Sequence, residues 1–219
     1  MENDKWKMTK TRALLVDDHE IVREGVKRIL EDISSEFFIG EASTDAEAVR
    51  RLQENEWDLM VLDLSLHGRS GLEVLKSAKQ IRPKIRVLVL SMHSEEQYAI
   101  RAFKAGASGY ITKGSPREEL SQAIKKILKG GRYVSPSLAE IMVVGLAQTD
   151  EDKPPHQLLS NRELEVLCLI ASGKTVGQVA EKLNLSDKTI STYRTRILEK
   201  MSMKTNAELT HYAIKNHLV

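Results

Sequence analysis

The sequence predicts an α/β doubly wound fold, a five-stranded parallel sheet, followed by an all-α domain of four helices. Three observations predict this. Five short apolar runs alternate with helical patterns over the first 130 residues, whereas residues 156–219 show helical periodicity and no strand pattern. Between the two lies a stretch dense in acidic residues and proline. At roughly 100–200 residues per domain, 219 residues fit one large domain or two small ones.

The apolar runs cover residues 13–16, 37–40, 59–62, 87–90 and 110–111. Those at 59–62 and 87–90 are continuously apolar, as strands buried on both faces must be. Helix-start signals lie between them: Thr44 with Glu47, Ser94 with Gln97, and Ser115-Pro116 with Glu118. In each, a hydroxyl can accept from an early helical N–H while a residue three positions on reaches back. Pro116 would take the first helical position, where its missing N–H is harmless. Strand–helix units in succession imply parallel strands, because right-handed crossovers place the helices on the sheet faces.

Residues 135–155 change character. One short helix over 137–147 precedes Asp150, Glu151, Asp152, Pro154 and Pro155, which mark a linker. The predicted organisation is therefore a first domain over 11–131, a linker with a short helix over 132–155, and a second domain over 156–219. In that second domain Ser160 and Glu163 open one helix, which Gly173 can end in a left-handed cap. Val176, Val179, Ala180 and Leu183 form a full apolar stripe on the next. A tight connection leads to a third helix capped by Ser186 and running to about Met201. Thr205 caps a fourth, over 207–216. Two helices joined by three or four residues are the pattern of a helix-turn-helix.

Composition excludes several classes. A single cysteine, Cys168, allows no internal disulfide and no multi-cysteine zinc site, and it reads as a small core residue. No apolar run approaches the ~18 residues of a membrane span, and residues 1–10 lack the apolar core of a signal peptide. The expectation is a soluble cytoplasmic protein with no membrane partner. The formal net charge of +2 is unevenly spread: +2 over residues 1–135, −3 over 136–155 and +3 over 156–219.

Open parallel sheets bind ligands beyond the C-terminal ends of their strands. There the sequence places Asp17 and Asp18, Asp63, Ser91, and Thr112 with Lys113. Taken singly, an Asp or Ser after a strand is more often a helix cap and a Lys a solvated charge. Taken together, three carboxylates, a hydroxyl and an ammonium on one sheet edge have the chemistry of a Mg²⁺-dependent phosphoryl-transfer site. On the third helix of the second domain, Ile190, Tyr193, Ile197 and Met201 gather on a core side. Lys188, Ser191, Thr192, Thr195 and Glu199 gather opposite, with Arg196 on the flank. Residues 186–204 carry five basic and two acidic side chains. On the wheel alone this is an ordinary solvated face; it also suits a helix entering the DNA major groove.

The order Val16-Asp17-Asp18, Leu62-Asp63, Leu90-Ser91 and Gly109-Tyr110-Ile111-Thr112-Lys113 resembles the CheY-like receiver domains of bacterial response regulators, with their flavodoxin-like sheet, over residues 11–131. The resemblance implies that Asp63 is the phosphoacceptor and that Asp17, Asp18, Asp63 and the Ser65 carbonyl hold Mg²⁺. It also implies that Lys113 binds a phosphoryl oxygen and that Ser91 and Tyr110 are the switch pair. Ser65 and His93 occupy positions that tune acyl-phosphate lifetime. Leu66-His67 stands where the family usually has Met-Pro, and Gly114 where many members have a Pro.

Leu159-Ser160-Asn161-Arg162-Glu163, Glu165-Val166-Leu167, Val179-Ala180 and Ser186-Asp187-Lys188-Thr189-Ile190 resemble the LuxR-type helix-turn-helix. Both resemblances together are those of a NarL/FixJ-family response regulator. They imply a non-enzyme that receives phosphate from a sensor histidine kinase and regulates transcription by binding DNA as a homodimer, with RNA polymerase a further possible partner. Ser191, Thr192 and Thr195 would face bases. Lys188, Arg194, Arg196 and Lys200 would meet phosphates, and the fourth helix would form the dimer interface. Two alternatives stay open: a regulator that works without phosphorylation, and an aspartate-nucleophile phosphatase. The second is disfavoured by Ser65, where such enzymes carry a second Asp.

Overall fold

The computed structural model describes residues 10–66, 71–92, 95–147, 154–216 and 218–219. The chain divides into two compact units, with the break between Ser135 and Pro136.

The first unit is built on strands β1 (Thr11–Val16), β2 (Phe37–Ala42), β3 (Leu59–Leu62), β4 (Arg86–Ser91) and β5 (Gly109–Thr112). They form one all-parallel sheet in the order β2-β1-β3-β4-β5. Helices α1 (Glu20–Ile33), α2 (Asp45–Glu54), α3 (Gly71–Ile81), α4 (Glu95–Lys104) and α5 (Arg117–Leu128) alternate with them. The doubly wound fold is thus as the sequence predicts. β1, β2, β4 and β5 run one or more residues longer than their apolar runs, because ladder pairing continues beyond them, as in the pairs Val16–Ala42 and Ser91–Thr112.

Alternation along the strands sorts the core into two layers. Ala13, Leu15, Leu59, Val61, Leu88, Leu90 and Ile111 pack with Val26, Leu30, Ala123 and Ile127 of α1 and α5. The intervening Leu14, Met60, Leu62, Val87 and Val89 are equally buried on the other face. Burial on both faces is what the continuous apolar runs require.

The predicted caps meet mixed outcomes. Thr44 caps α2 by accepting from the Glu47 amide, while Glu47 reaches back to the Ser43 amide rather than to Thr44. Ser115 does not cap α5. Its hydroxyl lies 3.1 Å from that of Thr112, and Pro116 takes the cap position, its carbonyl accepting from Glu119 and Leu120. The helix therefore starts one residue later than expected, because a neighbouring hydroxyl claims the cap. Ser94 and Gln97 are not both described, so that signal lies outside the described residues.

After α5 the chain returns to the sheet. Tyr133 forms an isolated bridge with Gly109, and its amide donates to the Ser108 carbonyl at 2.9 Å. Its phenol donates to Glu119 at 2.9 Å, and the Ser135 hydroxyl donates to Glu95 at the start of α4 at 2.6 Å. Burial and the Glu119 carboxylate push the Tyr133 phenol up to about 12, so it stays a hydrogen-bond donor.

The second unit holds α6 (Pro136–Ala147), a 3-10 turn (Pro155–Leu158), and helices α7 (Asn161–Ala171), α8 (Val176–Leu183), α9 (Asp187–Lys200) and α10 (Asn206–Lys215). α7 and α8 both open with reciprocal caps, Ser160 with Glu163 and Thr175 with Gln178. Gly173, at φ 84°, ends α7 in the left-handed conformation the sequence suggests. Leu164, Leu167, Val179, Ala180, Ile190, Ile197, Leu209 and Ala213 form the buried centre. Cys168 is buried on α7. α10 starts and ends one residue earlier than expected.

Candidate functional site

β1 and β3 are adjacent, so Asp17 and Asp63 leave the sheet side by side. The Asp63 amide donates to the Val16 carbonyl at 2.8 Å. β5 ends across from β4, and the Lys113 amide donates to the Ser91 carbonyl at 2.8 Å. These backbone bonds bring the side chains together. Lys113 Nζ lies 2.7 Å from both Asp17 Oδ2 and Asp63 Oδ2. The other Asp63 oxygen accepts from the Ser65 amide at 3.0 Å. Asp63 is 1% exposed and Ser91 fully buried, so the group is shielded from water. Tyr110 is also fully buried, its backbone paired with Val89 between β4 and β5.

Burial pushes the Asp63 carboxyl above its ordinary value, against the opposing pull of Lys113 and the Ser65 amide. Burial alone would lower Lys113; its hydrogen bonds to Asp17 and Asp63 outweigh this and leave it raised. The lysine is therefore held charged. Three carboxylates and one ammonium leave a formal charge of −2 in a largely desolvated site, which is costly unless a cation offsets it. Asp17, Asp18 and Asp63, together with His19, bring their ligand atoms within 4.8 Å of one another. The oxygen-rich set fits a hard divalent cation such as Mg²⁺.

Three residues at this site carry no sequence signal of their own. His19 Nδ1 lies 3.1 Å from Asp17 Oδ1 and 2.7 Å from Asp18 Oδ1. Arg23, one turn into α1, donates to the Asp17 carbonyl at 2.8 Å and to Glu41 at 2.9 Å, holding the β1 end against β2. Gly71 opens α3 with its amide bonded to the Leu64 carbonyl at 3.1 Å. His19 follows the paired aspartates directly, which could have drawn attention to it. Leu66 is buried; His67 and His93 lie outside the described residues.

In the second unit, α8 ends at Asn184, whose φ of 51° and ψ of 49° turn the chain sharply. The Leu185 amide then donates to the Ala180 carbonyl at 2.9 Å, and Ser186 caps α9 by accepting from Thr189 at 3.1 Å. Two helices joined through three residues make the predicted helix-turn-helix. Ile190 and Ile197 fix one side of α9 in the core, whereas Tyr193 is half-buried rather than fully inside. Lys188, Ser191, Thr192, Thr195 and Arg196 are all exposed. The Thr192 and Thr195 hydroxyls donate to the Lys188 and Ser191 carbonyls at 2.9 and 3.1 Å. Their oxygens keep acceptor capacity for an outside donor.

Two of the residues expected to meet phosphates have structural partners. Arg194 Nε donates to Asn206 at 2.6 Å, tying α9 to α10. Lys200 Nζ lies 2.7 Å from Glu163 Oε2. Glu163 is 3% exposed and also accepts from the Ser160 amide at 2.7 Å. Sequence reasoning gave Glu163 a cap role and missed its tie to the end of α9.

A receiver-type sheet with an acidic edge, joined to a helix-turn-helix domain, defines the class of two-component response regulators. Comparison with known proteins places the chain in that family. Residues 13–125 match the response regulator receiver domain, and residues 157–213 match the bacterial regulatory proteins of the luxR family. The chain is 37% identical over 206 residues to the response regulator UvrY of Escherichia coli, covering 94% of each protein. Among solved structures it resembles a LuxR-family two-component response regulator from Aurantimonas sp., at 40% identity and TM-score 0.58, over 64% of this chain and 99% of that one. It also resembles RcsB, in a structure of two RcsB dimers bound to two parallel DNAs, at 25% identity and TM-score 0.59, over 94% and 98% of the chains. The chain thus belongs to the response regulators that join a receiver to a LuxR-type DNA-binding domain. Its relatives are regulators rather than enzymes. Among the described residues no helix is long and apolar enough to cross a membrane.

Proposed function

We propose that this protein is a cytoplasmic transcription regulator whose Asp63 accepts a phosphoryl group from a sensor histidine kinase. One observation carries the reading: Asp17, Asp63 and Lys113 meet in a single hydrogen-bonded cluster at the sheet edge of a chain that also carries a helix-turn-helix. In the proposed reaction an Asp63 oxygen attacks phosphorus, the phosphorus–nitrogen bond to the kinase histidine breaks, and an acyl phosphate forms. Asp17, Asp18, Asp63 and the Ser65 carbonyl would hold Mg²⁺, which neutralises charge on the phosphoryl oxygens when bound. Lys113, whose ammonium lies 2.7 Å from an Asp63 oxygen, would pass from Asp63 to a phosphoryl oxygen. The Ser65 amide orients the second Asp63 oxygen.

Ser91 and Tyr110 would carry the change onward: the hydroxyl engages the phosphoryl group, and the ring fills the space behind it. DNA binding would follow as a homodimer, with Ser191, Thr192 and Thr195 at base edges and Lys188 and Arg196 at phosphates. Arg194 and Lys200 would reach DNA with the donors their internal bonds leave over. Engagement of RNA polymerase would follow at the promoter. The test is incubation with a small phosphoryl donor and Mg²⁺. The expected result is acid-labile phosphate on the native protein and none on Asp63→Asn; a variant that still labels at a single aspartate would overturn the assignment.

A further inference from the structure

The α1–α5 side of the receiver contains a cleft of about 410 Å³, within the usual range of small-ligand pockets, about 300–1,000 Å³. Its floor is apolar, formed by Val26, Ile29, Leu90 and Ile111, and it is lined further by Arg28, Lys113 and Arg117. No carboxylate lines it among the described residues. Arg117 pairs with Asp32 outside the cleft, and the Lys113 ammonium is held by Asp17 and Asp63. Arg28 is exposed, and among the described residues it has no ion-pair partner.

Gly25 adds an independent observation. It sits inside α1, where glycine is a poor helix former. No turn or positive φ requires it, and a Cβ there would meet nothing within 4 Å. The chain's own packing does not explain this glycine. It lines the cleft, and the missing side chain leaves room there.

We propose that this cleft binds a free amphipathic organic anion, an alkyl or aryl carboxylate, with its hydrocarbon part on the apolar floor against Gly25 and its acid group at Arg28. With Lys113 and Arg117 already paired, Arg28 is the lining cation left to meet a ligand, and its charge beside a carboxylate-free lining favours an anion over a cation or a neutral chain. The experiment is calorimetric titration of the full-length protein with octanoate, octan-1-ol and octylammonium, all below micellar concentrations. Octanoate binds with a single saturable site, and the other two bind on the order of tenfold more weakly or less. Gly25→Leu, which fills the space, and Arg28→Glu, which reverses the rim charge, each weaken octanoate on the order of tenfold. Gly25→Leu keeps or raises the melting temperature, since leucine is the better helix former. No saturable octanoate binding, equal binding of the neutral or cationic chain, or octanoate affinity unchanged in Arg28→Glu would overturn the proposal. Arg28→Glu is a surface change, so it decides the matter even if Gly25→Leu folds poorly.

Discussion

A Cβ at Gly71 would lie 2.4 Å from Leu64 Cα and 2.5 Å from the Asp63 carbonyl oxygen. Neither atom is the far end of a flexible side chain; both belong to the backbone that carries the candidate nucleophile. Gly71→Ala should therefore push the loop after β3 outward. We expect a loss of about 1–3 kcal/mol in denaturant unfolding, the usual cost of forcing atoms into a packed site, together with slower phosphate uptake at Asp63. Wild-type stability in this variant would show that the close approach is not needed. Asp17, Asp18, Asp63, Ser91 and Lys113 were legible in the sequence because each follows a recognisable apolar strand. Gly71, His19 and Arg23 were not. Their roles come from where a loop and a helix turn pass in space, and no periodicity encodes that.

At the scale of elements, α7 and α9 are locked by one side chain. Glu163 closes the cap of α7 and pairs with Lys200 in the last turn of α9. Burial alone would raise its carboxyl, but Lys200 and the Ser160 donors outweigh this and hold it below 4.5. A carboxyl depressed in the folded state stabilises fully above its unfolded value and loses that contribution as pH falls through the folded one. The stability gap between the native protein and Glu163→Gln should thus be widest near neutral pH and should narrow as pH falls below 4.5, read as melting of the C-terminal unit. A gap independent of pH would show that the charge on Glu163, and with it the ion pair, adds nothing to stability. Helix starts were largely legible because a hydroxyl with Glu or Gln three residues on is a local signal. Ser115 failed because Thr112, on the preceding strand, takes its hydroxyl. The Glu163–Lys200 tie spans 37 residues, a separation at which sequence patterns carry no information.

At the scale of the molecule, charge is partitioned between an acidic stretch over residues 136–155 and a basic one over 156–219, although the total is only +2. On the proposed reading, beryllofluoride with Mg²⁺ should raise operator affinity and shift the protein toward a dimer; unchanged affinity and unchanged mass would instead favour regulation without phosphorylation. Binding should also weaken steeply with salt. Lys188→Ala should make that dependence shallower by about 0.9 for each DNA phosphate it no longer neutralises, hence about 1.8 for a dimer. An unchanged slope would remove Lys188 from the interface. The two-domain architecture was legible from alternating and helical periods. The return of Tyr133 and Ser135 to the sheet was not, since these residues sit in what composition marks as linker.

The outward side of α9 has one more consequence. Ile190 and Ile197 hold the helix in the core, Glu163 anchors its far end, and Lys188, Ser191, Thr192, Thr195 and Arg196 stand outside with little part in packing. Substitutions at such surface positions usually change stability by less than about 0.5 kcal/mol. If α9 reads DNA as proposed, a duplicated gene could therefore drift at these five codons toward a new promoter while its product folded as before. Separating scaffold from reading surface in this way lets a lineage of regulators diversify its targets without inventing a new domain.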